Sequence, residues 1–190
     1  MAIIHEANLT PTKPELLETW LDRQPWGGSG PVDLVGGYRF DDPAGEVGVE
    51  GLVVRRGERT LHVPLTYRGA PLAGAEEHLV CTMQHSALGQ RWVYEAGHDP
   101  VGVDCFVRAL RGEQQQAVVE VWHGETFAGT REPAVRVVRE GPVPVQGGSL
   151  VLVGDLDPAG LGEAPQGEVR LVASWDGGTA VVAALAVPTR

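Results

Sequence analysis

The first thirty residues alternate between apolar and polar positions in a way that predicts one strand and one helix. A short apolar stretch at residues 3–9 predicts the strand. Thr12 followed by Glu15 has the spacing of a helix capping box, and Pro14 suits a first helical turn. Apolar side chains then recur on one helical face, at Leu16, Leu17, Trp20 and Leu21. This pattern predicts an amphipathic helix over residues 13–23, ended by the glycine-rich segment 26–31.

Three segments after this loop alternate apolar and polar residues with the period of two that is typical of strands. They run from Val32 to Phe40, from Val47 to Val53 and from Leu61 to Tyr67, with turn signals between them. We expect them to form an antiparallel meander. Because Pro64 has no amide proton for a ladder, the third strand is predicted to lie at a sheet edge or to carry a bulge.

A fourth strand and a second helix are predicted next. Residues 77–85 favour the strand. Asp99 has the character of an N-cap, Pro100 suits the first helical position, and Gly112 would stop the helix. Apolar side chains line one side of this segment, at Val103, Phe106, Val107 and Leu110.

The remaining chain reads as a series of short strands. These are predicted at residues 117–123, 134–139, 149–154, 167–175 and 179–187. The last two are joined by Asp176, Gly177 and Gly178, a strong hairpin signal. The predicted fold class is therefore α+β, an antiparallel sheet with two helices followed by a β-rich meander. Residues 113–190 are expected to form a C-terminal extension packed on residues 1–112.

The composition of the chain argues against some classes of partner and indicates a cellular compartment. The chain has 190 residues, 43% of them hydrophobic and 21% charged, which is ordinary for a globular protein. A net charge of -10, with Lys13 as the sole lysine, argues against nucleic-acid binding. The start lacks a signal-peptide pattern and no apolar run approaches ~18 residues, so no membrane association is expected. Cys81 and Cys105 are predicted to be buried thiols, and the protein to be cytoplasmic.

Residues 62–99 concentrate the polar chemistry, with four of the six histidines, but specific catalytic patterns are missing. Lys13 does not lie in a phosphate-binding loop, and Gly27–Gly30 follows a helix where a phosphate cradle would precede one. A kinase set is also missing, because the sole lysine lies at a helix start and the sole asparagine is Asn8. The sequence leaves enzyme activity open and favours a non-catalytic role.

Metal, cofactor and nucleophile signals are equally weak. His78 and His85 are seven residues apart, outside the usual ligand spacings, so neither a metal nor a cofactor is expected. Cys81 or Cys105 could form a thiol nucleophile pair with His85, but Cys81 lies in an apolar strand, which favours an inert core thiol. The aromatic side chains of Trp20, Trp26, Trp92 and Tyr94 favour core or interface packing, with a sugar-stacking platform as the alternative.

The same region carries a family resemblance. The motifs are VPLTYRGAPL at residues 63–72 and HSALGQRWVYEA at residues 85–96, together with the helix at 16–21, residues 38–50 and the Asp99-Pro100 helix start. Through them, residues 1–112 resemble the N-terminal cap domain of bacterial maltokinases and related sugar kinases. The resemblance implies a domain built from a curved antiparallel sheet packed on helices. It also implies that this domain is non-catalytic and lies beside a nucleotide-binding lobe in the kinases. We expect a stand-alone protein that lacks this kinase lobe.

Two functional hypotheses follow. The first is a non-catalytic accessory or regulatory protein, whose partner is a sugar kinase, another enzyme of glycan metabolism or a second copy of itself. The alternative is a protein that binds a sugar or sugar phosphate, or a minor enzyme, with a pocket lined by His62, Arg68, His85, Arg91, Trp92 and Tyr94.

Overall fold

The computed structural model describes residues 2–4, 8–123, 126–142, 148–156 and 169–186, without the side chains of 2–4 and 119–128. Its helices are α1 (Lys13–Leu21) and α2 (Pro100–Arg111), with 3₁₀ turns at Glu76–His78 and Ala96–His98. Its first seven strands are β1 (Ala2–Ile4), β2 (Leu9–Thr10), β3 (Val32–Asp41), β4 (Gly48–Arg56), β5 (Arg59–Arg68), β6 (Leu79–His85) and β7 (Gly89–Glu95). Six more follow, β8 (Val119–His123), β9 (Thr126–Arg131), β10 (Val135–Glu140), β11 (Ser149–Leu152), β12 (Val169–Trp175) and β13 (Gly178–Ala186).

A six-stranded antiparallel sheet forms the centre of the cap-like part. Its strand order is β2-β6-β7-β5-β4-β3. The predicted meander of β3, β4 and β5 is confirmed, and so is the α+β fold class. The predicted strand at residues 3–9 is two short strands, β1 and β2, and residues 5–7 lie outside the described ones.

The prediction that β5 lies at a sheet edge is wrong, because β5 pairs with β4 on one side and β7 on the other. Pairing with β7 begins only at Leu65, one residue after Pro64. Pro64 is opposite Gly51 of β4, and no β7 residue faces it. The missing amide proton therefore falls where the ladder on the β7 side has ended, so the proline is accommodated inside a central strand.

Helix α1 covers one face of this sheet. Thr12 and Glu15 form the predicted capping box, since each side chain bonds the other residue's backbone amide. The four predicted apolar residues of α1 are buried, and they pack on β5 side chains such as Leu61, Val63 and Leu65. Burial of side chains of this size contributes about 1.5–3 kcal/mol each relative to exposure.

Helix α2 and the C-terminal strands cover the other face. The helix begins after Asp99, whose carboxylate accepts from the amide of Val101, and ends at Gly112, whose φ of 77° is left-handed. Phe106 of α2 lies in one core with Tyr38 of β3 and with residues of β12 and β13 such as Leu171. The segments before and after residue 112 thus share this core.

The C-terminal strands form two further sheets. The order β10-β12-β13-β11 contains the predicted β12–β13 hairpin, while β1 runs parallel to β8 in the sheet β1-β8-β9. The sequence patterns missed β7 and β9, and residues 167, 168 and 187 of the predicted strands lie outside the described ones. Among the described helices, none combines the length and apolar character needed to cross a bilayer.

Candidate functional site

A cleft of about 660 Å³ opens where β7 separates from β5. From this point toward Leu61, residues 153–156 run beside β5 in place of β7. Leu61 forms a bridge with Asp155, and the amide of His62 donates to the carbonyl of Gly154 at 2.8 Å. The cleft is lined by α1 and the loop after it, by β5, the end of β7, the second 3₁₀ turn and α2, and by residues 150–155. The lining residues are Trp20, Trp26, His62, Pro64, Glu95, Gly97, His98, Val103, Leu150, Leu152, Val153, Gly154 and Asp155.

His62 is the buried polar residue of this cleft. Its Nδ1 donates to the carbonyl of Val153 at 2.9 Å, so Nε2 accepts from the hydroxyl of Tyr38 at 2.8 Å. Both bonds suit the neutral ring. Burial lowers the pKa of His62 from 6.5 to about 4, because removal from water disfavours the imidazolium. At neutral pH the side chain is therefore an uncharged, fully hydrogen-bonded part of the framework.

Two tryptophans form the apolar wall of the cleft. The rings of Trp20 and Trp26 meet edge to face, with centroids 5.5 Å apart. Trp20 is buried on α1, whereas Trp26 is half-buried in the loop that follows. Arg56 fixes this loop, since its guanidinium donates to the carbonyls of Gly27 and Gly30 and pairs with a carboxylate at the end of α1. The wall is thus held in place from beneath.

The rim of the cleft carries charge. The lining residue Asp155 forms an ion pair with Arg59. The imidazole of His98, another lining residue, stacks on that of His78 with centroids 3.4 Å apart and planes 5° apart. The Nδ1 of His78 lies 3.8 Å from a carboxylate oxygen of Glu95. One nitrogen or oxygen of each of these three side chains lies within 4.8 Å of the others, an arrangement that could hold a metal ion.

A second polar cluster joins the sheet to α2. The buried carboxylate of Asp99 accepts two bonds of 2.6 Å from Arg68 and one of 2.7 Å from Thr66. Burial alone would raise the pKa of Asp99, but these hydrogen bonds, the bond from the Val101 amide and the charge of Arg68 lower it overall. The carboxylate therefore stays ionised and acts as an anchor.

A third polar cluster supports α1 from below. The buried carboxylate of Glu50 accepts bonds of 2.7 and 2.8 Å from Lys13 and one of 3.0 Å from Tyr67. Burial would raise the pKa of Glu50, yet the charges of Lys13 and Arg39 and these bonds bring it below its usual value. The sole lysine thus serves packing between α1 and β4.

The six residues predicted to line one pocket lie on both faces of the sheet. Because paired residues point to the same face, the register puts Trp92 opposite Arg68 and Tyr94 opposite Thr66, on the face of His62. Neighbouring Arg91 points to the other face, where Met83 lies opposite it.

Of these six residues, His62 lines the cleft. Tyr94 is buried, and its hydroxyl accepts from the amide of Leu72. His85 and Arg91 belong to the β6–β7 turn, where each bonds the backbone near Leu88. A binding role for the six residues stays a prediction.

The cleft residues that the sequence patterns did not assign come from segments distant in sequence. His78 and Glu95 become neighbours because β6 pairs with β7, and β7 was not predicted. A signal was present, since Trp92, Val93 and Tyr94 are residues typical of strands and follow the turn at 86–89. A hairpin over residues 79–95 brings the side chains of His78 and Glu95 together.

Comparison with known families supports the resemblance. Residues 20–99 match the family model of the maltokinase N-terminal cap domain. The match covers somewhat under half of the chain and includes β3 to β7, both 3₁₀ turns and the residue that caps α2. No match was found among the curated proteins that were searched.

Proposed function

We propose that this chain is a non-catalytic, cytoplasmic accessory module that docks on a sugar kinase or another enzyme of glycan metabolism and modulates it. The observation that carries the proposal is the match of residues 20–99 to a maltokinase cap domain. A domain of this kind adjoins a kinase lobe in the family that the chain resembles. Binding to such a lobe is therefore the simplest role for the cap-like part of the chain.

Two features of the chain support this role. Three of the buried polar groups, those of His62, Glu50 and Asp99, are each hydrogen-bonded within the framework, which suits a rigid binding module better than a catalytic centre. The net charge of -10 also favours a partner with a basic surface, because opposite charge accelerates association.

Direct binding tests the proposal. Tag-free protein is mixed with each sugar kinase encoded in the same genome, and complexes are measured by interferometry and by chromatography with light scattering. We expect a complex with micromolar or tighter Kd, weakened by added salt, and a changed kcat or KM of the kinase. An unrelated kinase of similar charge serves as the control. Absence of binding at micromolar concentration, with unchanged kinase kinetics, would refute the proposal. A homodimer would be detected as a doubled mass when the protein is measured alone by chromatography with light scattering.

A second function is favoured by the tryptophan wall of the cleft. The Trp20–Trp26 pair faces a cleft of about 660 Å³, which is large enough for a sugar or sugar phosphate. Pyranose rings pack on indole faces, and the ion pair of Arg59 with the lining residue Asp155 would place a cation next to a phosphate bound in the cleft. The ligand would then bind at the tryptophans rather than around Arg91 and Trp92.

Thermal-shift measurements with sugars, sugar phosphates and nucleotides test this second function. A ligand at one hundred times its Kd should stabilise the protein by about 2.7 kcal/mol. We expect Trp26→Ala to abolish the shift and Trp92→Ala, a tryptophan outside the cleft, to preserve it. The reverse result would favour the pocket predicted from the sequence, and a flat panel would speak against both.

A further inference from the structure

We propose that His78, Glu95 and His98 form a binding site for a divalent transition-metal ion such as Zn²⁺. The three side chains meet at the rim of the cleft, and one ligand atom of each lies within 4.8 Å of the others. Glu95 and His98 also line the cleft itself. The site is independent of any docking partner.

The topology brings the backbones of all three ligand residues close together. Leu79 pairs with Tyr94 at the end of the β6–β7 ladder, so His78, which directly precedes β6, lies close to Glu95, the last residue of β7. Each belongs to or adjoins a 3₁₀ turn, Glu76–His78 on one side and Ala96–His98 on the other. Since a 3₁₀ helix has about three residues per turn, His98 returns to the side of Glu95.

The ligand types select the class of metal. Two imidazoles and one carboxylate form the donor set of many zinc sites that keep an open position. Ca²⁺ and Mg²⁺ prefer oxygen ligands alone, so two histidines disfavour them. Bonds of roughly 2.0–2.1 Å would bring two ligand atoms to within about 3.4 Å of each other, so the side chains must close in on the ion.

Binding also requires the histidine rings to rearrange. Two parallel rings 3.4 Å apart cannot both direct a nitrogen lone pair at the same ion. The rings of His78 and His98 must therefore rotate out of their stacked arrangement when the ion binds. His98 is exposed and His78 is half-buried, so both rings have room to turn. Within the described residues, no hydrogen bond occupies the Glu95 carboxylate or the His98 ring nitrogens.

An outer carboxylate supports the assignment of the ligating nitrogen. The Nε2 of His78 lies 3.5 Å from a carboxylate oxygen of Glu77, whereas its Nδ1 faces Glu95. Metal-binding histidines commonly donate their second N–H to a carboxylate, which fixes the tautomer and raises ligand basicity. Here Nδ1 would bind the ion and Nε2–H would donate to Glu77.

The remaining coordination positions would face the cleft, because Glu95 and His98 form part of its wall. Water or an oxygen ligand in the cleft could occupy them. The cap-like part of the chain would thus carry an open metal site that sequence spacing alone does not show.

Metal titration of tag-free protein, treated first with a chelator that is then removed, tests the inference. Zn²⁺ is added at pH 7.5 and binding is measured by competition with a chromogenic chelator. We expect one equivalent to bind with micromolar or tighter Kd. His98→Asn and Glu95→Gln should each weaken binding at least tenfold, and Glu77→Gln should weaken it by a smaller factor. His85→Gln changes a histidine outside the cluster and should alter Kd by less than twofold.

A spectroscopic readout confirms where the ion binds. Zn²⁺ should shift the ring resonances of His78 and His98 in ¹H–¹⁵N spectra and leave those of His62 in place, since His62 is enclosed by its own bonds. Circular dichroism of the metal-free variants checks that they remain folded. The inference would be overturned by a Kd for Zn²⁺ weaker than about 100 μM. It would also be overturned if His98→Asn bound Zn²⁺ as tightly as the parent protein, or if His85→Gln lost as much affinity as His98→Asn.

Discussion

Arg68 on β5 donates two hydrogen bonds of 2.6 Å to Asp99, one to each carboxylate oxygen, and Asp99 is the residue that caps α2. The pair links the central strand of the sheet to the helix that forms the other layer of the core. Asp99 is fully buried, so its charge depends on this partner. The arrangement makes one strand residue responsible for both an ion pair and the position of a helix start.

Removal of Arg68 should destabilise the protein strongly. Arg68→Ala leaves a buried carboxylate without its cation, a loss of about 3–5 kcal/mol in the free energy of unfolding. Chemical denaturation at pH 7 measures the change. Arg170→Ala is the control, because its ion pair with Glu140 is about half exposed on both sides and should contribute at most about 1 kcal/mol. Similar losses in the two variants would contradict the anchor role of Asp99.

The stability of the protein should depend on pH through His62. Its folded-state pKa of about 4 lies below the ordinary 6.5, so between these values the unfolded chain binds more protons than the folded one. Stability is therefore full above about pH 6.5 and falls as the pH decreases toward 4, by about 3 kcal/mol in total. Denaturation midpoints measured from pH 4 to 7.5 give the slope.

The variant His62→Gln isolates this contribution. Glutamine can donate to the Val153 carbonyl and accept from Tyr38, but it does not titrate. We expect the variant to lose most of the slope between pH 4 and 6.5, whatever its stability at pH 7.5. Parallel pH profiles for the variant and the parent protein would show that His62 does not carry the effect.

Gly51 on β4 should tolerate no side chain. A Cβ at this position would lie 2.3 Å from the Tyr38 ring, which is itself buried. Gly51→Ala should therefore destabilise the protein by about 1–3 kcal/mol or more through overpacking. Gly48→Ala on the same strand is the matched control, because its Cβ would meet nothing closer than 3.5 Å. Thermal unfolding compares the two, and equal melting temperatures would argue against the Tyr38–Gly51 contact.

Both cysteines should react slowly with thiol reagents in the folded protein. Burial raises the pKa of Cys81 and of Cys105 to about 11, so about one thiol in a thousand is ionised at pH 8. Labelling with a disulfide reagent at pH 8 should be slow natively and fast in denaturant, with N-acetylcysteine as the rate standard. Fast labelling of Cys81 in the native protein would instead indicate a reactive thiol.

Local signals were sufficient for the helices and for several hairpins. The capping box of Thr12 and Glu15, the N-cap at Asp99 and the stop at Gly112 lie within a few residues of what they control, and the structure confirms each. The hairpin of β12 and β13 follows equally from the residues of its turn. The position of the Pro64 strand in the sheet could not be predicted in this way, because it depends on where β7 separates from β5.

What the amino-acid pattern establishes here is the class of the elements, because periodicity and caps act over one or two turns of chain. Which side chains meet depends on strand register, and a register joins residues far apart in sequence. The pairing of β6 with β7 brings His78 to Glu95, and the paired strands separate His62 from Arg91 across the sheet. The cleft, its tryptophan wall and its histidine rim exist only once those long-range pairings have formed.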